Sequence, residues 1–316
     1  MTSTTNKVNF SVRQNKAIER AIVFDGIRDI SRAVKLSDQV YVGFGSVWFV
    51  DFEAAHAQLG VQTLFSIEKD PVVYARAEFN KPYRCIQVLH GYSREVIGEL
   101  LDQDELASRP WIVWLDYDQE LDEDCRDEIA DMVRLLPRNS FILATVSAQP
   151  AAYGSPTEER LGRLKSLFGR GFDEERPRAD VKTPNRFMTT LASTMEDHLK
   201  SVASRSGVSY LPAFYLPYQD GTPMVTVGGF LPDRETEEVA SHILGTNEWQ
   251  GRVKSPIATP PLTPREVISL RAQLPRRGTQ LTRDDVQGLG FDLQQEHLDS
   301  FVRHYLRYPS YAQLAR

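Results

Sequence analysis

VSYLPAFYLPYQDGTPMVTVGGF, residues 208–230, is the stretch on which the fold turns. Val208–Tyr218 and Met224–Phe230 are apolar runs rich in aromatic and β-branched side chains, and they flank Asp220-Gly221. That dipeptide suits a tight reversal, because glycine takes the positive φ that short hairpin turns demand. The pattern predicts a β-hairpin. Just before it, Thr183-Pro184 opens a helix with Phe187, Leu191, Met195, Leu199 and Val202 along one stripe.

Upstream of that helix the chain alternates. Strands are expected at 39–43, 63–67, 84–89, 111–115 and 140–146. Helices are expected over Asn15–Val34, Trp48–Leu59, Pro71–Phe79, a segment capped by Ser93, and Asp122–Leu136, where Ile129, Met132, Val133 and Leu136 repeat at helical spacing. Such alternation points to a parallel sheet with right-handed crossovers. Residues 149–182 break the rhythm and read as a lid or insertion. The expected organisation is an α/β domain over 1–245, a Pro-bearing linker over 246–261, and a helical unit over 262–316. In that unit Thr263-Pro264-Arg265-Glu266 is a helix start, and Asp292 is placed as the cap of a last helix.

The 316 residues are 41% hydrophobic and 25% charged, enough to bury a core and too apolar for global disorder. The N-terminus lacks a signal-like apolar core. The longest apolar run, Val40–Val50, is too short to span a membrane. Cys85 and Cys125 stand far apart and read as small core residues, so the cytoplasm is the expected location. Residues 251–316 carry ten Lys/Arg against six Asp/Glu, a charge of +4, while the first 250 residues carry −10. A basic tail on an acidic body suggests a contact surface for a protein partner or a second copy, and less readily for nucleic acid.

Five strand–helix units, a long helix and a closing hairpin, over about residues 35–232, resemble the class I S-adenosylmethionine-dependent methyltransferases. A dinucleotide-binding domain would instead continue with a sixth parallel strand. Gly43-Phe44-Gly45-Ser46 followed by Asp51-Phe52 is similar to a group of bacterial proteins labelled O-methyltransferases. The resemblance implies a doubly wound, mostly parallel α/β sheet closed by an antiparallel hairpin. It also implies S-adenosylmethionine as cofactor and an oxygen or nitrogen acceptor. The family's first motif has an acid where this chain has Tyr41, and a third glycine where it has Val47.

Candidate site residues follow the strand ends, where open α/β sheets bind ligands. Gly43, Gly45 and Ser46 form a turn that either approaches a ligand with its backbone or is only structural. Glu68 ends the second strand, where a carboxylate accepts hydrogen bonds from ribose hydroxyls; otherwise it is a solvated acid. Tyr92, after His90-Gly91, could stack on an adenine. Asp116 and Asp118 follow the fourth strand. They could orient an acceptor, hold a hard cation, or serve as acids ahead of a helix. Arg13, Lys16, Glu19 and Arg20 form a solvated, salt-bridged face, a cover over the cofactor, or a site for an anionic substrate. The competing reading of the whole chain is a methyltransferase fold that has lost catalysis and serves as a binding or assembly subunit.

Overall fold

The computed structural model describes residues 13–169, 172 and 181–310. Its centre is a seven-stranded sheet in the order β3-β2-β1-β4-β5-β7-β6. The strands are β1 (Val40–Gly43), β2 (Thr63–Glu68), β3 (Ile86–His90), β4 (Trp111–Glu120), β5 (Ser140–Ser147), β6 (Leu211–Asp220) and β7 (Thr222–Leu231). β1 to β5 pair in parallel, whereas β7 is antiparallel to both β5 and β6. Gly221, at φ 80°, makes the hairpin turn. The chain therefore has the α/β class I methyltransferase arrangement.

Alternation along the strands divides the core in two. On β4, Trp111, Val113 and Leu115 face one cluster, and Ile112 and Trp114 face the other. The first cluster packs under α4 (Ser93–Leu101), α6 (Glu123–Leu135), α7 (Thr157–Phe168) and α8 (Pro184–Arg205), through residues such as Ile97, Met132, Leu164 and Leu191. The second packs under α1 (Gln14–Ala33), α2 (Val50–Leu59), α3 (Pro71–Asn80) and α9 (Glu237–Leu244), through Ile22, Phe52, Ala77 and Ala240. Short α5 (Asp104–Ala107) supports the entry to β4, where Leu106 O accepts from the Trp111 indole.

The C-terminal helices are α10 (Pro264–Arg271), α11 (Arg283–Gly288) and α12 (Gln295–His304). Leu270, Val286, Leu298, Phe301 and Tyr308 join the α1-side cluster, so this segment shares a core with the sheet. Thr263 and Glu266 form a reciprocal capping box at α10. Arg307 pairs with Asp25 of α1 at 3.0 Å, and Arg271 donates to the carbonyls of Tyr305 and Tyr308. Much of the basic and aromatic tail is thus spent on docking within the chain.

Several local expectations change. Residues 251–257 do not hang free. Tyr215 N–H donates to Gly251 O, Val253 N–H to Tyr215 O, and Ile257 N–H to Pro217 O, so the segment lies in parallel against the outer edge of β6. An exposed sheet edge invites foreign pairing, and this cover removes it. Asp292 caps nothing: α12 starts after Gln294, and Asp292 pairs with Arg283. Ser93 is the first residue of its helix, behind Tyr92 as cap. β6 begins at Leu211 and not at Val208, because its ladder to β7 starts at Leu211–Phe230. β4 runs to Glu120, since β5 extends to Ser147 and pairs with it beyond an irregularity after Asp116. Part of the expected lid, residues 170, 171 and 173–180, lies outside the described residues.

Candidate functional site

The expected cofactor residues meet at the carboxyl ends of β3, β2 and β1, which are neighbours in the sheet. Glu68 is the last residue of β2 and only 9% exposed. Its Oε1 has no hydrogen-bond partner. Burial pushes its pKa up to about 7; the Ser46 N–H opposes that shift and Asp70 adds to it. Gly91 N–H donates to the Glu68 carbonyl at 3.2 Å, which draws the loop after β3 beside it. Tyr92 in that loop is 66% exposed, an aromatic face open to solvent.

The Gly43–Ser46 turn is held chiefly by the protein itself. Gly45 N–H donates to Ser66 Oγ at 3.1 Å, and a Cβ there would lie 2.6 Å from that oxygen and 2.8 Å from the Phe49 ring. A Cβ on Gly43 would press on Trp114 O at 3.1 Å. Both glycines therefore answer a structural need. Ser46 and Phe49 take left-handed backbone, φ 50° and 48°, which is uncommon for non-glycine residues and marks a sharply folded loop. Phe44 in the turn packs edge-on against Tyr117 of β4, whose hydroxyl donates to Glu128 at 2.7 Å.

On the other side of β1, Asp116 and Asp118 lie on the extended end of β4. Asp118 is exposed; Asp116 is half-buried, and Lys16 Nζ stands 2.8 Å from its Oδ2. The charged face of α1 is thus not solvated. Lys16, Glu19 and Arg20 are 4%, 0% and 8% exposed. Lys16 lies 3.4 Å from Glu19 Oε2 and over the rings of Trp114 and Tyr218. Thr226 of β7 donates to Glu19 at 2.6 Å, and Arg20 pairs with Asp51 in the first turn of α2.

The hairpin tip fixes α1 at this end. Asp220 accepts from the N–H groups of Asn15 and Lys16, and the Asn15 side chain bonds Gln219 O and Thr259. Burial drives Glu19 up to about 7, against the pull of Lys16. For Lys16, burial works downward, but Asp116 and Glu19 together outweigh it and hold the ammonium well above its ordinary value.

Sequence alone marks the three α1 charges by their spacing. It does not show that β6 and β7 would cover them, and Tyr218 and Thr226 carry no signal beyond strand alternation. Among the described residues, no three His, Cys, Asp or Glu side chains gather as a metal site. Nor is any helix among them long and apolar enough to cross a membrane.

No curated protein matches the sequence. Distant likeness extends to solved structures. The Streptomyces achromogenes O-methyltransferase TomG, in complex with SAM, is 14% identical, with 72% of this chain and 92% of that one covered and a TM-score of 0.38. TYW2 of M. jannaschii, in complex with AdoMet, is 14% identical over 65% and 74%, at a TM-score of 0.34. Trm1 of Pyrococcus horikoshii, with S-adenosyl-L-methionine, is 10% identical over 71% and 57%, at 0.41. The family model described as "Putative O-methyltransferase" matches residues 8–316, almost the whole length, and the chain belongs to that family.

Proposed function

We propose that the chain binds S-adenosylmethionine across the carboxyl ends of β1, β2 and β3, and that a methyl group passes to an oxygen or nitrogen acceptor beside Asp116. The observation that carries this reading is Glu68, a buried carboxylate with one oxygen left without a partner at the end of β2. Buried polar atoms are ordinarily satisfied, and an orphan here fits a ligand that donates hydroxyl hydrogens, as a ribose does. Tyr92 offers an exposed ring for an adenine.

When bound, the cofactor supplies a methyl activated on a sulfonium. The chain's own contribution is position and proton handling. Asp116, on β4 with 24% of its side chain exposed, takes the proton that the acceptor gives up on methylation. Asp118, exposed two residues on, orients the acceptor.

Calorimetric titration with S-adenosylmethionine and with its demethylated product tests the proposal. The intact chain should bind both, and Glu68→Ala should weaken binding by roughly 2–4 kcal/mol through the loss of two charge-assisted hydrogen bonds. Unchanged affinity in that variant removes Glu68 from the site. A second reading, a binding or assembly subunit that retains the fold, is favoured by the protein-filled surroundings of Gly43 and Gly45. Absence of cofactor binding in the intact chain would leave that reading standing alone.

A further inference from the structure

Burying charge is costly, and an apolar helix would cover this sheet face without it. α1 nevertheless inserts Lys16, Glu19 and Arg20 at the strand ends, where the facing groups are Asp51 of α2, Tyr41 of β1, Trp114 and Asp116 of β4, Tyr218 of β6 and Thr226 of β7. The network is sealed at one end and open at the other. Glu19 is fully buried, Lys16 nearly so, while Asp116 reaches the surface of the proposed acceptor side.

A chain of donors fixes Glu19. The Trp114 indole N–H donates to Thr145 Oγ1 at 3.0 Å, and the Thr226 hydroxyl donates to Glu19 Oε1 at 2.6 Å. The Thr145 and Thr226 oxygens lie 2.7 Å apart, and since Thr226 spends its proton on Glu19, Thr145 donates to Thr226. Three elements thus hold one carboxylate, and that carboxylate shares Lys16 with Asp116, at 3.4 Å against 2.8 Å.

We propose that Lys16 and Glu19 are positioning residues for Asp116: the ammonium fixes the Asp116 carboxylate, and the charge on Glu19 sets how strongly it does so. The proposal rests on the reading of Asp116 as the acceptor-side base. An ionised Glu19 competes with Asp116 for Lys16; a protonated Glu19 yields Lys16 to Asp116 alone. Burial of Glu19 brings its titration to about 7, where that exchange takes place near neutrality.

The test is a carbon-13 carboxyl NMR titration of the full chain without cofactor, with Asp116→Asn to assign the resonance. Lys16→Met should raise the proton affinity of Asp116 by about tenfold or more, since an opposite charge within contact distance is lost. The isosteric Glu19→Gln, which keeps its contact with Thr226, should lower it and abolish any second inflection near neutral pH. Lys16→Arg should restore most of the wild-type curve. An Asp116 curve unmoved by both Lys16→Met and Glu19→Gln overturns the proposal; if Lys16→Met does not fold, an unmoved curve in Glu19→Gln suffices. In turnover assays, Glu19→Gln should change the pH dependence of kcat and leave the KM for the cofactor alone. Asp116 responding as described in a chain that binds no S-adenosylmethionine would support the coupling and overturn only the methyl-transfer reading.

Discussion

Proton linkage at Glu68 gives the sharpest test of the cofactor side. Burial raises this carboxyl to about 7 in the ligand-free chain. A ligand that donates hydroxyl hydrogens to it selects the ionised form, so binding must release whatever proton Glu68 still carries. With a midpoint near 7, the apparent affinity should fall about tenfold, or ~1.4 kcal/mol, from about pH 8 to about pH 6. Calorimetry in two buffers of different ionisation enthalpy should find nearly one proton released per ligand at the lower pH and almost none at the higher. Glu68→Gln should flatten the dependence and bind more weakly throughout. The same shift acts on stability in the ligand-free chain. Because the folded pKa lies above the unfolded one, this contribution is fully present below about 4.5 and is lost as pH rises through about 7, a change of roughly 3 kcal/mol. An affinity that stays level across this window in the wild-type chain, with no proton released, would show that the ligand does not bond the Glu68 carboxylate.

Three further outcomes can be checked by thermal or denaturant unfolding. Gly45→Ala should destabilise by roughly 1–3 kcal/mol, because the new methyl collides with Ser66 and Phe49. Arg20→Ala or Asp51→Ala should each cost about 3–5 kcal/mol by stranding a buried charge, whereas the double variant should cost less than the two together. Ending the chain at Leu262 should expose the α1-side apolar cluster, giving a product that binds hydrophobic dyes and lacks a cooperative transition, because Leu270, Val286, Leu298 and Phe301 are core residues.

The strand–helix order and the closing hairpin were legible because each strand and helix stripe meets the core with its own period. Glu68 was legible by its place at the end of β2. What was not legible arises between distant segments. The spacing of Lys16, Glu19 and Arg20 is that of any wet helix face, and only packing against α2, β4, β6 and β7 turns it inward. The segment before α10 reads as linker by its prolines, yet its backbone finds partners on β6. Asp292 looks like a cap by residue type, but Arg283 claims its carboxylate. Ser46 and Phe49 give no hint in sequence of the left-handed backbone they adopt.

The partners that lock α1 in place come late in the chain. Asn15 is bonded to Gln219 and Thr259, Lys16 N–H to Asp220, Glu19 to Thr226, and Asp25 to Arg307, with sequence separations between 204 and 282 residues. On the ribosome, the first helix is made while none of these groups yet exists. Its charged turn must stay in water until the hairpin emerges, and the Asp25 tie cannot form until the last helix has been released. Non-local contacts of this kind slow folding and leave intermediates open to misassociation. A nascent product that ends before β6 and β7 therefore carries Lys16 and Asp116 without the hairpin bonds to Asn15, Lys16 N–H and Glu19 that tie α1 down over the sheet.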